Sequence, residues 1–232
     1  MNTDQNTAPG HVLLTDIAYR GVRDLLMSGQ LSPVRRLVES RLAVELDVSR
    51  TPLRQALVRL ESDGLIRREE DGFYPTVPHL PEIRELYELR RIIERQGIDR
   101  IIAAGDSLHH DQSILRDLCD QWAALGADRP EPSPDIVLMD EEFHEQLLTA
   151  SGSRVLVESL RSVNAKIRLV RMYDYITADR VEATITEHLA ILRALLASDL
   201  ETGKKLLEHN IDAGFQIVQQ RAGNALGPMF LR

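Results

Sequence analysis

The segment from Val48 to Leu60, which reads VSRTPLRQALVRL, decides the fold of the N-terminal part of this chain. A helix is predicted to open at Ser49 or Thr51, either of which can cap it, and Pro52 is accepted in a first turn because its missing N–H needs no partner there. A shorter helix is predicted from Arg41 to Leu46, so that only a tight link separates the two. Two helices joined this closely are typical of a helix-turn-helix, although an ordinary amphipathic helix with solvated arginines has the same spacing.

The second of these helices has an apolar face and an arginine-rich start. Arg50 and Arg54 lie toward its exposed N-terminal end. Arginine contacts guanine edges through two hydrogen bonds and also neutralises phosphate, so this end is expected to enter the major groove of double-stranded DNA. The residues that recur at helical spacing and can face a core are Leu53, Ala56, Leu57 and Leu60.

A strand–turn–strand hairpin is predicted after this helix. Residues 65–68 and 73–74 flank the pair Asp71-Gly72, and Asp-Gly favours a tight bend between strands. An amphipathic helix is predicted earlier, from Leu14 to Gly29. Together these elements predict a winged helix-turn-helix. Its candidate DNA-binding residues are Ser49, Arg50, Thr51, Arg54, Arg41 and Gly72.

Charge and composition restrict the class of protein. The 232 residues carry a net charge of -8, but acidic and basic residues balance over residues 11–78, so the acidity lies outside the predicted DNA-binding domain. The single cysteine, Cys119, excludes an internal disulfide framework and indicates a reducing compartment. No apolar run reaches membrane-spanning length, and the first ten residues lack the features of a signal peptide. We therefore expect a cytoplasmic protein with no membrane partner.

The chain is predicted to contain two domains. Residues 1–10 are expected to form a disordered arm, 11–77 the winged helix-turn-helix, 78–81 a proline-containing linker, 82–222 a helical domain and 223–232 a loose tail. Six helices are predicted after the linker, at residues 82–104, 110–125, 135–149, 154–176, 180–197 and 201–220. No alternating pattern long enough for a sheet occurs there, so the fold class is mainly α, with an antiparallel all-α bundle behind the winged helix-turn-helix.

Three polar residues of the predicted bundle could bind a metal. Asp140 and His144 are four residues apart on one helix and therefore project from one face, while His188 lies among apolar residues of another helix. Oxygen and imidazole ligands together suit divalent metals of the Zn, Ni or Mn type. The plainer interpretations are a surface salt link for the first pair and a hydrogen-bonded core residue for His188.

The N-terminal residues resemble the DNA-binding domain of GntR-family bacterial transcription regulators. The resemblance runs from Leu31 to Val77, and its most specific part is the Ser-Arg-Thr-Pro-x-Arg core at residues 49–54. Two positions depart from the family pattern: Val34 stands where a glycine is usual, and Pro75 stands where a valine is usual. Proline is accepted on an edge strand, so a bent or short wing is expected.

The C-terminal residues resemble the FCD ligand-binding domain of the FadR subfamily of GntR regulators. The matching motifs are Asp140-x-x-Phe143-His144, Glu187-His188-x-x-Ile191-Leu192 and Leu89-Arg90-x-x-Ile93-Glu94. The resemblance implies a divalent metal held by the aspartate and the two histidines of these motifs, together with a further histidine of the last helix. It also implies that the metal helps to hold a small carboxylic acid effector.

The last of these metal-binding positions departs from the family. Counting without gaps from His188 places it on Asn210 and not on His209. Asn210 shares a helical face with apolar residues, whereas His209 lies on a polar face, so Asn210 is predicted to point inward. Because an amide oxygen is a weaker ligand than imidazole, three interpretations stay open: a loosely bound metal, an effector contact by Asn210, or an effector without a metal. The other histidines are assigned no role.

Arg90 is the candidate for binding the effector carboxylate. It shares a face with apolar residues of its helix, and a buried arginine needs an anionic partner. A structural pair with Glu94 or Asp140 is the plainer interpretation, and the resemblance implies a clamp on the effector. Arg168 and Arg171 are weaker candidates.

These patterns predict a DNA-binding transcription regulator that binds a pseudo-palindromic operator as a homodimer. The resemblance to the FCD domain implies that a small carboxylic acid controls it. A metal-dependent bundle enzyme fused to a DNA-binding domain is one alternative. However, Leu148 occupies the second histidine position of a His-Glu-x-x-His motif, and no Gly-rich phosphate loop or Gly-x-Ser-x-Gly elbow is present. An effector-independent DNA-binding protein is another alternative, but the strong basic excess expected of such a protein is missing.

Overall fold

The computed structural model describes residues 9–28, 30–32, 35–76, 78–172, 175 and 177–230, with side chains between residues 14 and 220. The chain divides into two compact units between residues 77 and 78. The sequence features at residues 1–8, Gly29, Pro33, Val34 and Val77 lie outside the described residues.

The described N-terminal unit consists of helices and a two-stranded sheet. Helix α1 spans Pro9–Met27, α2 spans Glu39–Glu45 and α3 spans Arg50–Ser62, while strands β1 and β2 span Ile66–Glu69 and Gly72–Pro75. The strands are antiparallel, with Ile66 opposite Pro75 and Glu69 opposite Gly72. The predicted winged helix-turn-helix is therefore present. Helices α1 and α2 both begin earlier than the sequence predicts, and the first two residues of α1 belong to the expected disordered arm.

Packing between α1 and α3 turns one face of α3 inward. Helix α1 packs on α3 and contributes Ala18 and Val22, which are completely buried. Asp47 forms the tight link before α3 with a φ of 50°, and Gly64 follows the helix with a φ of 75°, a conformation that commonly ends helices. The side chains of α3 that this packing buries completely are Leu53, Ala56, Leu57 and Leu60. Since the apolar face is covered, the arginines at the start of α3 are left on the surface.

The C-terminal unit is a helical bundle. Helix α4 spans Leu80–Ala104, α5 Gln112–Ala127, α6 Ile136–Ala150, α7 Arg154–Arg171, α8 Ala178–Leu196 and α9 Leu200–Phe230, with a 3-10 turn at Gly105–Ser107. Helix α4 takes up part of the expected linker, because it begins at Leu80 with a proline in its first turn. None of the helices in the described part of the chain is long and apolar enough to cross a membrane. The mainly α fold class, with its winged helix-turn-helix and helical bundle, is confirmed.

Three helices of the bundle, α5, α7 and α9, end at least two residues away from their predicted ends. Helix α7 ends at Arg171, before its predicted end at residue 176, and Tyr175 is a buried turn residue. The apolar pattern predicts a longer helix because an apolar residue in a turn can have the same spacing as one in a helix. Helix α5 continues through Gly126, and α9 continues past Gly223 to Phe230, so the expected loose tail is helical over residues 223–230. A single glycine costs a helix only about 1 kcal/mol relative to alanine, which is too little to end it.

Candidate functional site

The N-terminal end of α3 forms an exposed basic surface. Ser49 occupies the N-cap position, although its hydroxyl makes no capping hydrogen bond to the described backbone. Arg50, Thr51 and Arg54 are exposed on the helix, and Arg41 is exposed on α2. These candidate DNA-binding side chains are therefore accessible to a partner.

Arg54 of α3 and Arg36, which precedes α2, are held by neighbouring parts of the N-terminal unit. Nε of Arg54 lies 2.7 Å from Oε2 of Glu39 in the first turn of α2. Nη1 of Arg36 donates a hydrogen bond of 2.8 Å to the carbonyl oxygen of Asp71 in the wing turn. At Gly72 the φ is 146°, and a Cβ atom would lie 2.8 Å from Cδ of Arg36. Gly72 is therefore required for the close passage of Arg36 over the wing turn.

In the bundle, Asp140 and His144 of α6 meet His188 of α8. Oδ1 of Asp140 lies 3.6 Å from Nε2 of His144 and 3.3 Å from Nε2 of His188. One ligand atom from each residue lies within 4.8 Å of the others, and all three side chains are buried. The four-residue spacing on α6 and the inner face of α8 thus bring the three predicted ligands together.

The Nε2 atoms that the two histidines direct toward Asp140 are unsatisfied. Nε2 of His144 and Nε2 of His188 have no hydrogen-bond partner among the described residues. On the other side of its ring, Nδ1 of His144 contacts Oε2 of Glu94, which leaves Nε2 directed toward Asp140. A carboxylate behind a ligating histidine is the usual outer partner at a metal site. The residues therefore fit a divalent metal with three protein ligands and at least one open position.

Burial and charge set the protonation of the site. Burial lowers the pKa of His188 to about 4, so the neutral ring offers a lone pair near pH 7. Burial also acts to lower the pKa of His144, but the Glu94 and Asp140 carboxylates outweigh it and raise that pKa. Burial acts to raise the pKa of Asp140, yet the Arg171 guanidinium and the His144 ring hold that pKa well below its ordinary value.

Aromatic side chains fix the ring of His188. It stacks on Phe143 with ring centroids 3.6 Å apart and an interplanar angle of 4°. Trp122 packs against it edge-on, with centroids 4.2 Å apart. Because all three side chains are buried, rotation of the imidazole is restricted and Nε2 stays directed toward Asp140.

Arginines face the second oxygen of Asp140. Nη2 of Arg171 contacts Oδ2 of Asp140, and Nη2 of Arg90 lies 3.7 Å from the same atom. Arg90 also donates from Nε to Oε1 of Glu94 over 2.6 Å. Both anionic partners considered for Arg90 from the sequence thus lie within ion-pair distance. Its Nη2 atom has no hydrogen-bond partner in the described part of the chain.

A small cavity lies beside these arginines. Its volume of about 10 Å³ is room for roughly one water molecule. Arg180, in its wall, forms an ion pair of 3.2 Å with Glu187. A larger occupant would have to displace side chains of the wall, which include Tyr87, Arg90, Asp140, Arg171, Tyr175, Arg180 and Asn210.

Helix α9 presents Asn210 to the interior. The Asn210 side chain is buried and His209 is exposed, which is the orientation that the gapless register predicts. The side-chain nitrogen of Asn210 donates a hydrogen bond of 2.6 Å to Oε2 of Glu187. Asn210 also lines the small cavity beside the arginines. The three converging ligand atoms, by contrast, come from α6 and α8.

Arg171 of α7 and His110 are buried in the bundle, although the sequence analysis gave neither of them a leading role. Arg171, ranked there as a weaker candidate, is buried, and its Nη1 lies 3.3 Å from Oε1 of Glu141 and 3.4 Å from Oδ1 of Asn164. The signal was available, because the argument that selects Arg90, an arginine on an apolar helix face, applies equally to Arg171. His110, which was assigned no role, is also buried.

Known proteins share both units. The FCD domain family matches residues 85–213, and the family of bacterial regulatory proteins named gntR matches residues 14–73. The HTH-type transcriptional regulator YdhC of Bacillus subtilis is 27% identical over 188 residues, which are 81% of this chain and 83% of the relative. The gluconate operon transcriptional repressor of Bacillus licheniformis is 27% identical over 198 residues, 82% of this chain and 79% of the relative. A crystal structure of a GntR transcriptional regulator from Rhodococcus sp. RHA1 has 29% identity and a TM-score of 0.57, covering 89% of this chain and 98% of that one.

A winged helix-turn-helix joined to a helical FCD unit defines a DNA-binding transcription regulator. The chain belongs to the GntR family of bacterial regulators and carries an FCD domain. The enzyme alternative is wrong, because the matching families and relatives are transcription regulators. Membership implies that the N-terminal unit binds DNA and that the C-terminal unit binds a small molecule.

Proposed function

We propose that this regulator binds a pseudo-palindromic operator as a homodimer, and that a small carboxylic acid held beside a divalent metal controls its affinity for DNA. Two buried atoms carry the proposal: Nε2 of His144 and Nε2 of His188 face Oδ1 of Asp140 without a hydrogen-bond partner among the described residues. Buried polar groups are normally satisfied, so unsatisfied lone-pair donors aimed at one point favour a cation.

The DNA-binding part of the proposal uses the exposed end of α3. Arg50 and Arg54 would contact base edges, since arginine can form two parallel hydrogen bonds with guanine. Arg41 of α2 would contact the phosphate backbone, and phosphate contacts set the position of a protein on DNA. Ser49 and Thr51 would contribute hydroxyl donors to phosphate or base, and the turn at Gly72 would approach the adjacent groove. A two-fold dimer would present two such surfaces to the two half-sites.

The ligand-binding part uses the polar centre of the bundle. Asp140, His144 and His188 would hold a metal of the Zn, Ni or Mn type, which would supply positive charge and an open coordination position for a carboxylate oxygen. Arg90 would bind the same carboxylate, because its Nη2 atom is buried without a hydrogen-bond partner in the described chain. Asn210, in the wall of the same cavity, would contact the effector or complete the metal site.

Side-chain displacement would couple effector binding to regulation. The cavity of about 10 Å³ is too small for a carboxylic acid, so an effector would have to move the arginines that now lie near Asp140. A ligand shifts a protein between two arrangements only if it binds them unequally. Rearrangement of Arg90 and Arg171 is a physical source of such a difference in affinity, and hence of control over DNA binding.

A thermal-shift screen tests this proposal. The metal-free protein would be mixed with small carboxylic acids, each with and without Zn²⁺, Ni²⁺ or Mn²⁺. Gluconate belongs in the panel because a relative is named for the gluconate operon. We expect a metal alone to raise the melting temperature, and a subset of acids to raise it further when the metal is present. A ligand at 100 times its Kd stabilises the state that it binds by about 2.7 kcal/mol.

The same screen separates the alternatives. An acid that stabilises the protein without any metal would support an effector site in which Arg90 and Asn210 act alone. If neither metals nor acids change the melting temperature, an effector-independent DNA-binding protein becomes the better description.

A further inference from the structure

Asp140 is shared between two sets of partners. Its Oδ1 atom faces the two imidazole rings, at 3.6 Å from His144 and 3.3 Å from His188. Its Oδ2 atom contacts Nη2 of Arg171. The two oxygens of one carboxylate therefore serve the candidate metal site on one side and a buried guanidinium on the other.

Arg171 is anchored independently of any metal. Its Nη1 atom lies 3.3 Å from Oε1 of Glu141 and 3.4 Å from Oδ1 of Asn164, and its side chain is only 3% exposed. These contacts come from α6 and from α7 itself. In the absence of an effector, the packed bundle therefore holds the guanidinium beside Asp140.

The polar centre is already balanced in charge. Four arginines form ion pairs with four carboxylates: Arg90 with Glu94, Arg168 and Arg171 with Glu141, Arg171 with Asp140, and Arg180 with Glu187. A divalent cation would therefore bring positive charge to a carboxylate whose charge is already compensated. Two like charges on opposite oxygens of one buried carboxylate repel each other more strongly than they would in water.

We propose that Arg171 is the internal counter-ion of Asp140 and that its guanidinium limits the affinity of the Asp140, His144 and His188 site for a divalent metal. This inference rests on the proposed metal site and assigns to Arg171 a role that is separate from ligand contact. The Asn210 side chain is also already engaged, because its nitrogen donates a hydrogen bond of 2.6 Å to Oε2 of Glu187.

Calorimetric titration of the full-length, chelator-stripped protein with Zn²⁺ tests the role of Arg171. Arg171→Gln removes the positive charge and retains a hydrogen-bonding side chain, whereas Arg171→Lys retains the charge. Arg161→Gln is the matched control, because Arg161 lies on the same helix and forms an exposed ion pair of 2.7 Å with Glu145 of α6. We expect Arg171→Gln to lower the Kd for Zn²⁺ about tenfold, because the repulsion between the guanidinium and the cation is removed. Arg171→Lys and Arg161→Gln should stay close to wild type.

The titration separates a failure of the role assigned to Arg171 from a failure of the proposed metal site. Equal or weaker Zn²⁺ binding by a folded Arg171→Gln variant would overturn the role of Arg171 and leave the metal site standing. If no variant and no wild-type protein binds Zn²⁺, the metal site itself is overturned, and this inference with it.

The fold of the variant supplies a second readout. Arg171→Gln protein that is unfolded without metal but regains its helical circular dichroism on addition of Zn²⁺ would support the inference, since the cation then replaces the missing counter-ion. A variant that stays unfolded with Zn²⁺ would overturn it.

Discussion

Oε2 of Glu39 lies 2.7 Å from Nε of Arg54, so an ion pair between α2 and α3 holds the Arg54 guanidinium. The Arg54 side chain is 67% exposed. Exposed pairs of this kind contribute only about 0–1 kcal/mol to stability, because water screens them. The pair is therefore too weak to maintain the fold, but it orients a side chain that is otherwise free to rotate in solvent.

Arg54→Ala and Arg50→Ala should each weaken operator binding by about 1–3 kcal/mol, which is the usual contribution of a bidentate hydrogen-bonded contact between arginine and a base. The fold should survive, because both side chains are exposed. Fluorescence anisotropy with a duplex selected by the wild-type protein from a random pool measures the loss. Arg154→Ala, an exposed arginine of the helical unit, is the control. Wild-type affinity in both variants would show that α3 is not the helix that contacts the operator bases.

A homodimer should form in solution and on DNA. Winged-helix regulators read two half-sites, so a two-fold pair matches a pseudo-palindromic operator. Light scattering on the free protein and on its complex with the selected duplex measures the mass. The mass of a single chain in both samples would contradict the prediction.

The winged helix-turn-helix is predictable because its signals are local. The cap position at Ser49, the apolar face of α3 and the Asp71-Gly72 turn each depend on neighbours within a few residues, and each element appears at its expected place. Helix ends are less predictable. Whether Tyr175 continues α7 or turns into the core depends on distant packing partners, which the spacing of apolar residues does not contain.

The candidate metal site is predictable to the extent that it lies on single helices. Asp140 and His144 share a helical face by spacing alone, and the inward direction of Asn210 follows from the apolar residues on its face. The partners that cross between helices are harder to predict, because their pairing is a property of the folded bundle. The contacts of Glu94 with His144 and of Arg171 with Asp140 belong to this class.

His144→Ala should abolish the stabilisation by metal and reduce the response to an acid found in the thermal-shift screen. The ring is completely buried, and its Nε2 is one of the three atoms that converge on the proposed site. Metal titration by calorimetry and melting curves measure the loss, while DNA binding without metal or effector should stay largely intact. Metal binding at wild-type affinity in this variant would remove His144 from the site.

Asn210→Ala should change the affinity for metal or effector, whereas His209→Ala should have little effect. Asn210 is buried in the wall of the arginine-lined cavity, and the neighbouring His209 is exposed. The two variants therefore form a matched pair on one helix. Calorimetry with Zn²⁺, followed by titration with the acid from the screen, measures both affinities. A larger effect of His209→Ala would show that the register assigned to α9 is wrong.

His110→Gln should make the protein less sensitive to acid. His110 is buried near Glu94 and His144, and burial lowers its pKa to about 4, whereas an unfolded histidine titrates near about 6.5. The unfolded chain therefore binds this proton first, and stability falls as the pH drops from about 6.5 toward about 4 but is unaffected above that interval. Urea denaturation at several pH values should show a smaller loss of stability in His110→Gln than in wild type. The buried His188 and the acidic groups act in both proteins, so their effects cancel in the difference.

His109→Gln, at the exposed neighbouring position, is the control and should follow the wild-type curve. Parallel curves for His110→Gln and wild type would contradict the prediction.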